Sequence, residues 1–141
     1  MADNHSLKDR VALVTGSGRN IGRATALRLA SKGASVIVNS RSNEQEAQSV
    51  RDEILGNGGK AISVICDVGS ESEVDSMFTQ IENTMGSVTI LVNNAGLREE
   101  SSTLDMTTEE WRRVLSVNLD GPFYCCRAEI PGMLKENWGR I

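Results

Sequence analysis

Short apolar runs alternate with longer amphipathic segments along most of the chain. Residues 10–15 (RVALVT) form a continuous apolar run, which is typical of a β-strand that is buried on both faces. Residues 21–33 follow, with Ala24 and Leu27 at helical spacing and Gly33 in the position of a helix stop. This pattern predicts a strand followed by a helix.

The same unit recurs along the chain. Further strands are predicted at residues 34–39, 60–68 and 88–96, and further helices at residues 42–59, 70–86 and 107–137. The second helix has Ser42 or Asn43 as its candidate N-cap, and the third has Ser70 or Ser72.

The last predicted helix carries a recognisable start. Thr107 or Thr108, with Glu110 or Glu109, resembles a capping box. The segment reads either as one long helix or as two helices that meet near residues 120–121.

The order of these elements predicts the fold class. Strands that alternate with helices pair in parallel through right-handed crossovers. We therefore predict an α/β fold, a Rossmann-like doubly wound parallel sheet. The second and third strands are expected on one side of the first, and the fourth on the other. Arg140 and Ile141 look like the start of a fifth strand. We thus expect residues 1–141 to be a single dinucleotide-binding domain, truncated after about four strands and lacking its C-terminal catalytic part.

The first strand leads into a glycine-rich turn at residues 15–22 (TGSGRNIG). Glycines let the backbone approach a ligand closely, and the free N–H groups at a helix start favour a pyrophosphate. Its position between a predicted strand and a predicted helix supports that interpretation. The alternative is a tight turn that binds nothing.

Composition narrows the possible partners. A net charge of −4 gives no basic surface for nucleic acid, and no apolar run is long enough to span a membrane. We therefore expect neither partner. Cys66, Cys125 and Cys126 suggest neither a disulfide framework nor a metal site. They are predicted to be buried reduced thiols, which favours the cytoplasm. His5 is expected to be solvated in a polar N-terminal tail.

The glycine-rich turn resembles that of the short-chain dehydrogenase/reductase family, whose pattern is T-G-x-x-x-G-x-G. Thr15, Gly16 and Gly22 match, and Asn20 replaces the middle glycine. Asparagine tolerates a left-handed backbone better than most residues, so we expect the turn to survive this exchange.

Three further motifs extend the resemblance, which covers residues 7–141 and is similar to β-ketoacyl-carrier-protein reductases and related sugar or carbonyl reductases. It implies that Asp67 holds the adenine amino group while Val68 packs on the ring. In the NNAG motif at residues 93–96, it implies that Asn93 ties neighbouring strands together and that the following residues line the cofactor. It also implies that Asn118 supports the active site through a water, which makes Asn118 the candidate catalytic residue.

The end of the second strand bears on the choice between NAD and NADP. An acid there would accept hydrogen bonds from a ribose 2′-hydroxyl, but the sequence has Asn39, Ser40 and Arg41. A guanidinium suits a 2′-phosphate, and Arg19 could approach the same phosphate. We therefore predict NADP(H), the alternative being that each arginine is a solvated surface charge. The predicted cofactor-binding residues are Gly16, Ser17, Arg19, Asn20, Ile21, Gly22, Asn39, Ser40, Arg41, Asp67, Val68, Asn94, Ala95 and Gly96.

The proton donor that the resembled family uses has no counterpart in this sequence. The family has a serine, and a tyrosine followed four residues later by a lysine. The single tyrosine here is Tyr124, and Ala128 stands four positions after it. Tyr124 is therefore predicted to be a packing residue.

These observations predict the NADP(H)-binding portion of an enzyme that reduces a carbonyl, 3-oxoacyl or similar, by hydride transfer. This chain alone is expected to be inactive. The alternatives are a non-catalytic nucleotide-binding or interaction module, and a fragment that needs its missing half. The expected partner is a small-molecule carbonyl or alcohol substrate. Because the fourth strand would leave an apolar edge, we expect another copy in a homo-oligomer, the missing fragment or a swapped element to cover it.

Overall fold

The computed structural model describes residues 6–141, so the expectation for His5 lies outside the described residues. The strands are β1 (Val11–Val14), β2 (Ser35–Ser40), β3 (Lys60–Ile65) and β4 (Ile90–Val92), and the helices are α1 (Asn20–Ser31), α2 (Glu44–Gly56), α3 (Glu71–Met85), α4 (Thr108–Leu115) and α5 (Gly121–Lys135). A π-helical segment, Ser116–Asp120, joins α4 to α5. The predicted alternation of strands and helices is confirmed.

The strands form one parallel sheet in the order β3-β2-β1-β4. This is the predicted arrangement, with β2 and β3 on one side of β1 and β4 on the other. Beyond β4, the backbone of Arg140 pairs in parallel with this strand. The N–H of Leu91 donates to the Arg140 carbonyl at 2.9 Å, and the N–H of Arg140 donates to the Thr89 carbonyl at 3.0 Å. The residue predicted to begin a fifth strand therefore lies beside the fourth.

Apolar side chains cover both faces of the sheet, which explains why the strand sequences are continuous apolar runs. One cluster packs strand residues against α3 and α5, and includes Leu13, Ile37, Leu91, Val74, Met77, Ile81 and Cys125. The other packs strand residues against α1 and α2, and includes Val14, Val36, Val38, Ala26, Val50 and Ile54. Because neighbouring strand residues point to opposite faces, Leu13 and Val14 belong to different clusters.

The last helical segment is interrupted where the sequence suggested that two helices could meet. The capping box of α4 is present, since Thr107 Oγ1 accepts from the Glu110 N–H and the Glu110 side chain accepts from the Thr107 N–H. The π-helical segment then precedes α5, which begins at Gly121. A Cβ at Gly121 would lie 3.0 Å from the carbonyl oxygen of Val68. The small residue therefore lets α5 start directly against the segment that follows β3.

Candidate nucleotide-binding cleft

A cleft of about 570 Å³ opens at the carboxyl ends of the strands. Volumes of several hundred cubic ångströms are usual for cofactor sites. All the predicted cofactor-binding residues line this cleft except Ser17. Further lining residues, which were not among those predicted to bind the cofactor, are Gly18, Ser42, Asn43, Glu46, Cys66, Leu97 and Val117. The topology therefore gathers residues from four separate strand ends around one space.

The glycine-rich turn lines the cleft next to the start of α1. Gly16 has a φ of +63°, and a Cβ there would lie 2.9 Å from Cα of Ala95. Asn20 has a φ of +50°, so the residue that replaces a family glycine does adopt the left-handed backbone as predicted. A Cβ at Gly22 would overlap the carbonyl oxygen of Gly16. These positions are constrained by backbone angle and by close approach, independently of any ligand.

The start of α1 has the electrostatic character of an anion site. Arg19 is its N-cap and makes no capping hydrogen bond with its side chain, and the first turn contains no acidic residue. The N–H groups of a first turn have no partner within the helix and carry partial positive charge. An anion at this helix start would therefore meet backbone donors and no opposing carboxylate in the first turn.

A threonine and an asparagine connect the end of β1 with the end of β4. The N–H groups of Asn94 and Ala95 both donate to Thr15 Oγ1 at 3.0 Å. Asn94 Nδ2 donates to the carbonyl oxygens of Thr15 at 2.9 Å and Gly16 at 3.1 Å. The resemblance assigned the strand-tying role to Asn93, and the structure places it at Asn94. Asn93 Nδ2 instead contacts Cys126 Sγ at 3.6 Å, because consecutive residues after a strand point to opposite faces.

The side chains of Asn39 and Ser17 hydrogen-bond the carboxyl ends of the neighbouring strands β1, β2 and β3 to one another. Asn39 is buried, with Oδ1 accepting from the Gly16 N–H at 3.0 Å and Nδ2 donating to the Cys66 carbonyl at 3.1 Å. Ser17 is also buried, and its hydroxyl donates to the Val14 carbonyl at 2.7 Å while accepting from the Asn39 N–H at 3.0 Å. The Ser17 side chain is therefore committed to the scaffold, unlike its predicted neighbours, which line the cleft.

Two exposed arginines lie at the rim of the cleft. Arg19 and Arg41 both line the cleft. Within residues 6–141, neither takes part in a salt bridge. Next to them, Asn43 proves to be the N-cap of α2, since its Oδ1 accepts from the Glu46 N–H at 3.1 Å. The rim thus offers two guanidinium groups that form no salt bridge with a carboxylate of the described chain.

Asp67 and Val68 form the side of the cleft after β3. Asp67 Oδ2 lies 2.7 Å from Nη2 of Arg113 on α4, and Oδ1 accepts from the Gly69 N–H at 2.9 Å. Partial burial raises the pKa of the Asp67 carboxyl, but the hydrogen bonds from Arg113 and Gly69 and the charge of Arg113 outweigh it, so the pKa lies below its ordinary value. Sequence reasoning missed Arg113 because 46 residues separate it from Asp67.

Asn118 lies within the π-helical segment and fixes the chain after the NNAG motif. Its Oδ1 accepts from the Leu97 N–H and its Nδ2 donates to the Leu97 carbonyl, both at 2.8 Å. Segments of this kind occur frequently at functional sites. The two bonds hold Leu97, which lines the cleft.

Two further candidate groups, Tyr124 and Cys125, belong to the core on the side of the sheet that α3 and α5 cover. Tyr124 packs against the core and lies 5.8 Å from the Phe123 ring centroid. Burial, then the neighbouring cysteine, raises the pKa of the Cys125 thiol to about 12. Within the described part of the chain, no cluster of three or more metal-ligating side chains is present. No helix among residues 6–141 is long and apolar enough to cross a bilayer.

Known proteins share this architecture. The family model described as short chain dehydrogenase matches residues 10–141. A 3-oxoacyl-[acyl-carrier-protein] reductase from Synechocystis sp. is 42% identical over 136 residues, which are 96% of this chain and 55% of that protein. A reductase of the same name from Aquifex aeolicus is also 42% identical, over 96% of this chain and 54% of its own length. The chain thus spans about half the length of the curated relatives it matches.

Solved structures agree. A metagenomic short-chain oxidoreductase in complex with NADP matches with a TM-score of 0.91 and 36% identity, covering 95% of this chain and 61% of that one. A gluconate 5-dehydrogenase from Burkholderia cenocepacia in complex with NADP and tartrate matches with a TM-score of 0.86 and 34% identity, covering 97% of this chain and 53% of that one.

Proposed function

The chain belongs to the short chain dehydrogenase family, and we propose that it supplies the NADP(H)-binding domain of an oxidoreductase that reduces a carbonyl by hydride transfer. The observation that carries the proposal is the combination of the α1 start with the arginines at the cleft rim. Relatives named as 3-oxoacyl-[acyl-carrier-protein] reductases support a 3-oxoacyl or similar carbonyl substrate.

The residues of the cleft fit the parts of NADP(H). The turn from Gly16 to Gly22 and the first turn of α1 would hold the pyrophosphate through backbone N–H groups. Arg19 and Arg41 would hold the 2′-phosphate, for which paired guanidinium hydrogen bonds are suited. Asp67 would accept a hydrogen bond from the adenine amino group. The bound cofactor would supply the hydride, while Asn118 would hold the Leu97 segment beside it.

The test of cofactor choice is calorimetric titration of the chain with NADPH and NADH. The intact chain is expected to prefer NADPH, and Arg41→Met is expected to lose about 1.5–3 kcal/mol of that preference, the usual size of a hydrogen bond to a charged group. Arg28→Met is the matched control, because Arg28 is an exposed arginine in the last turn of α1, away from the cleft rim. Equal affinity of the intact chain for both nucleotides would contradict the proposal.

We propose that residues 1–141 alone bind NADP(H) but do not turn over a substrate. Carbonyl reduction needs a proton as well as a hydride, and the single tyrosine packs against the core with no lysine four positions on. The same observation favours the second candidate, a non-catalytic nucleotide-binding module. Oxidation of NADPH by this chain with a 3-oxoacyl thioester would exclude that module. Turnover restored only by adding the second half of a relative would favour an enzyme assembled from two parts.

We further propose that the protein works as a homo-oligomer in the cytoplasm. Large apolar side chains stay exposed along the last helical segment, where Leu119 is 63% exposed, Phe123 58% and Leu134 74%. Burying such side chains against a second copy is favourable by about 1.5–3 kcal/mol each. Sedimentation velocity that shows only monomer at micromolar concentration would count against this association.

A further inference from the structure

The carboxylate of Asp67 is held by groups from two different elements. Arg113 reaches it from α4, with Nη2 at 2.7 Å from Oδ2. The Gly69 N–H, two residues further along the chain, donates to Oδ1 at 2.9 Å. An ionised carboxylate offers about four acceptor directions, so each oxygen retains acceptor capacity beyond these two bonds, and Asp67 lines the cleft.

The path of the Arg113 side chain is itself fixed by its surroundings. A Cβ at Gly69 would lie 3.2 Å from Arg113 Nη1 and 2.9 Å from Ser116 Oγ. Ser116 Oγ in turn donates to the Arg113 carbonyl at 2.9 Å. The side chain of Arg113 is only 35% exposed and that of Asp67 only 22%. A larger residue at position 69 would therefore occupy the space through which the guanidinium reaches the carboxylate.

We propose that Arg113 is a positioning residue for adenine recognition: it holds the Asp67 carboxylate at the side of the cleft as an acceptor for the 6-amino group of the purine. This inference rests on the proposed function. It also predicts a selectivity, because a carboxylate accepts from a 6-amino group but opposes the 6-oxo group of hypoxanthine. The chain therefore distinguishes the two purines, and Arg113 makes the distinction possible without touching the nucleotide.

The charges around Asp67 favour its ionised form. Arg113 faces it from α4, and the charge of Arg41, which precedes α2, acts in the same direction. From α3, Glu73 approaches the backbone of this residue, since its Oε2 accepts from the Asp67 N–H at 2.8 Å. Partial burial raises the pKa of the carboxyl, but the Arg113 and Gly69 hydrogen bonds bring it below the ordinary value. Without Arg113, only the Gly69 hydrogen bond and the charge of Arg41 would still oppose the effect of burial, so the pKa of Asp67 is expected to rise.

The first experiment needs no nucleotide. The carboxyl carbon signal of Asp67 is titrated by NMR in the intact chain, in Arg113→Met and in the control Arg112→Met. Arg112 is an exposed neighbour on the same helix. We expect the Asp67 midpoint to rise in Arg113→Met and to stay in place in Arg112→Met. An unchanged midpoint in Arg113→Met would overturn the role of Arg113.

The second experiment compares NADPH with its reduced hypoxanthine analogue. The intact chain is expected to bind NADPH about tenfold more tightly, the value of one charge-assisted hydrogen bond. Arg113→Met should lose this preference with little change in affinity for the analogue, while Arg113→Lys should keep part of it. Equal losses for both nucleotides would show a merely structural role and overturn the inference.

The two proposals fail in different ways. An intact chain that binds neither nucleotide would reject the proposed function, and with it the recognition of adenine by Asp67. The NMR titration would then still report whether Arg113 controls the carboxylate. An intact chain that binds both nucleotides equally would leave NADP(H) binding in place and overturn only the inference about Arg113.

Discussion

Asn39 and Glu129 are both almost completely buried, at 1% and 4% exposure. They lie at opposite ends of the parallel strands, which are called here the carboxyl edge and the amino edge of the sheet. Asn39 lies at the carboxyl edge, where its amide bonds the backbone of Gly16, Val64 and Cys66. Glu129, on α5, lies near the amino end of β4, and its Oε1 has no hydrogen-bond partner among residues 6–141. Burial of a polar group is costly unless its bonds are replaced. The buried amide at the cleft thus has its hydrogen bonds made, whereas Glu129 at the opposite edge of the sheet keeps one carboxylate oxygen without a partner among the described residues.

The electrostatics of the two edges differ in the same way. At the cleft, hydrogen bonds to Asp67 outweigh partial burial and lower the pKa of its carboxyl. At the other edge, burial first and the nearby charge of Glu82 second raise the pKa of Glu129 to about 8, against one backbone hydrogen bond from Val88. The comparison shows that a buried acid is held ionised or neutral according to the donors around it. Three experiments test this, in order of expected effect.

The largest loss in the free energy of unfolding is expected from removing the hydrogen bonds of the Asn39 side chain. Asn39→Ala would leave the N–H of Gly16 and the carbonyls of Val64 and Cys66 without their partner. Each orphaned buried group costs about 1–3 kcal/mol, and we expect a total loss of about 3 kcal/mol in urea unfolding. Asn57→Ala is the control, because Asn57 is exposed at the end of α2. A loss no larger than in this control would mean that the network contributes little.

An intermediate effect is expected at Glu129, with a defined pH dependence. The ordinary pKa of 4.5 applies to the unfolded chain and about 8 to the folded one. Between these values the folded state retains a proton that the unfolded state has released, so the unfolding free energy falls as pH rises. Glu129→Gln cannot ionise and removes this fall. We expect the variant to be more stable than the intact chain at pH 8 and to approach it near pH 4.5.

The control for this experiment is Glu136→Gln, which changes an exposed glutamate just past the end of α5. Unfolding of all three chains is followed by circular dichroism from pH 4.5 to pH 9. A constant difference between Glu129→Gln and the intact chain over this range would show that Glu129 titrates normally in the fold, and that the contrast between the two edges is wrong.

The smallest effect is expected from a variant that separates the two causes of the raised Glu129 pKa, burial and the charge of Glu82. Glu82→Gln removes the neighbouring charge but leaves the burial unchanged, and burial is the larger cause. The Glu129 midpoint, followed by carboxyl NMR, is expected to fall while staying above the ordinary range. The accompanying gain in stability at pH 8 should be well under about 1 kcal/mol, since Glu82 is exposed. A return of the midpoint to the ordinary value would instead make the Glu82 charge the dominant cause.

Much of the fold was predictable because its signals are local. Apolar runs, helix caps and glycine stops lie within a few residues of one another. Chain order with right-handed crossovers leaves few arrangements, and the structure confirms the Rossmann-like strand order among them. The left-handed backbone of Asn20 was likewise predictable from residue type and position. The grouping of the cleft residues followed from topology, because parallel strands bring their carboxyl ends to one edge.

The order of the elements, the strand order and, apart from Ser17, the predicted residues around the cleft could be inferred before any coordinates were known. The packed fold was needed to show that Asn94, not Asn93, bonds the end of β1, that Arg113 contacts Asp67, and that Glu129 is buried. The reason is physical. Periodicity records which face a residue occupies, whereas a hydrogen bond between residues 46 or 79 positions apart depends on distances that are set only when helices and strands pack.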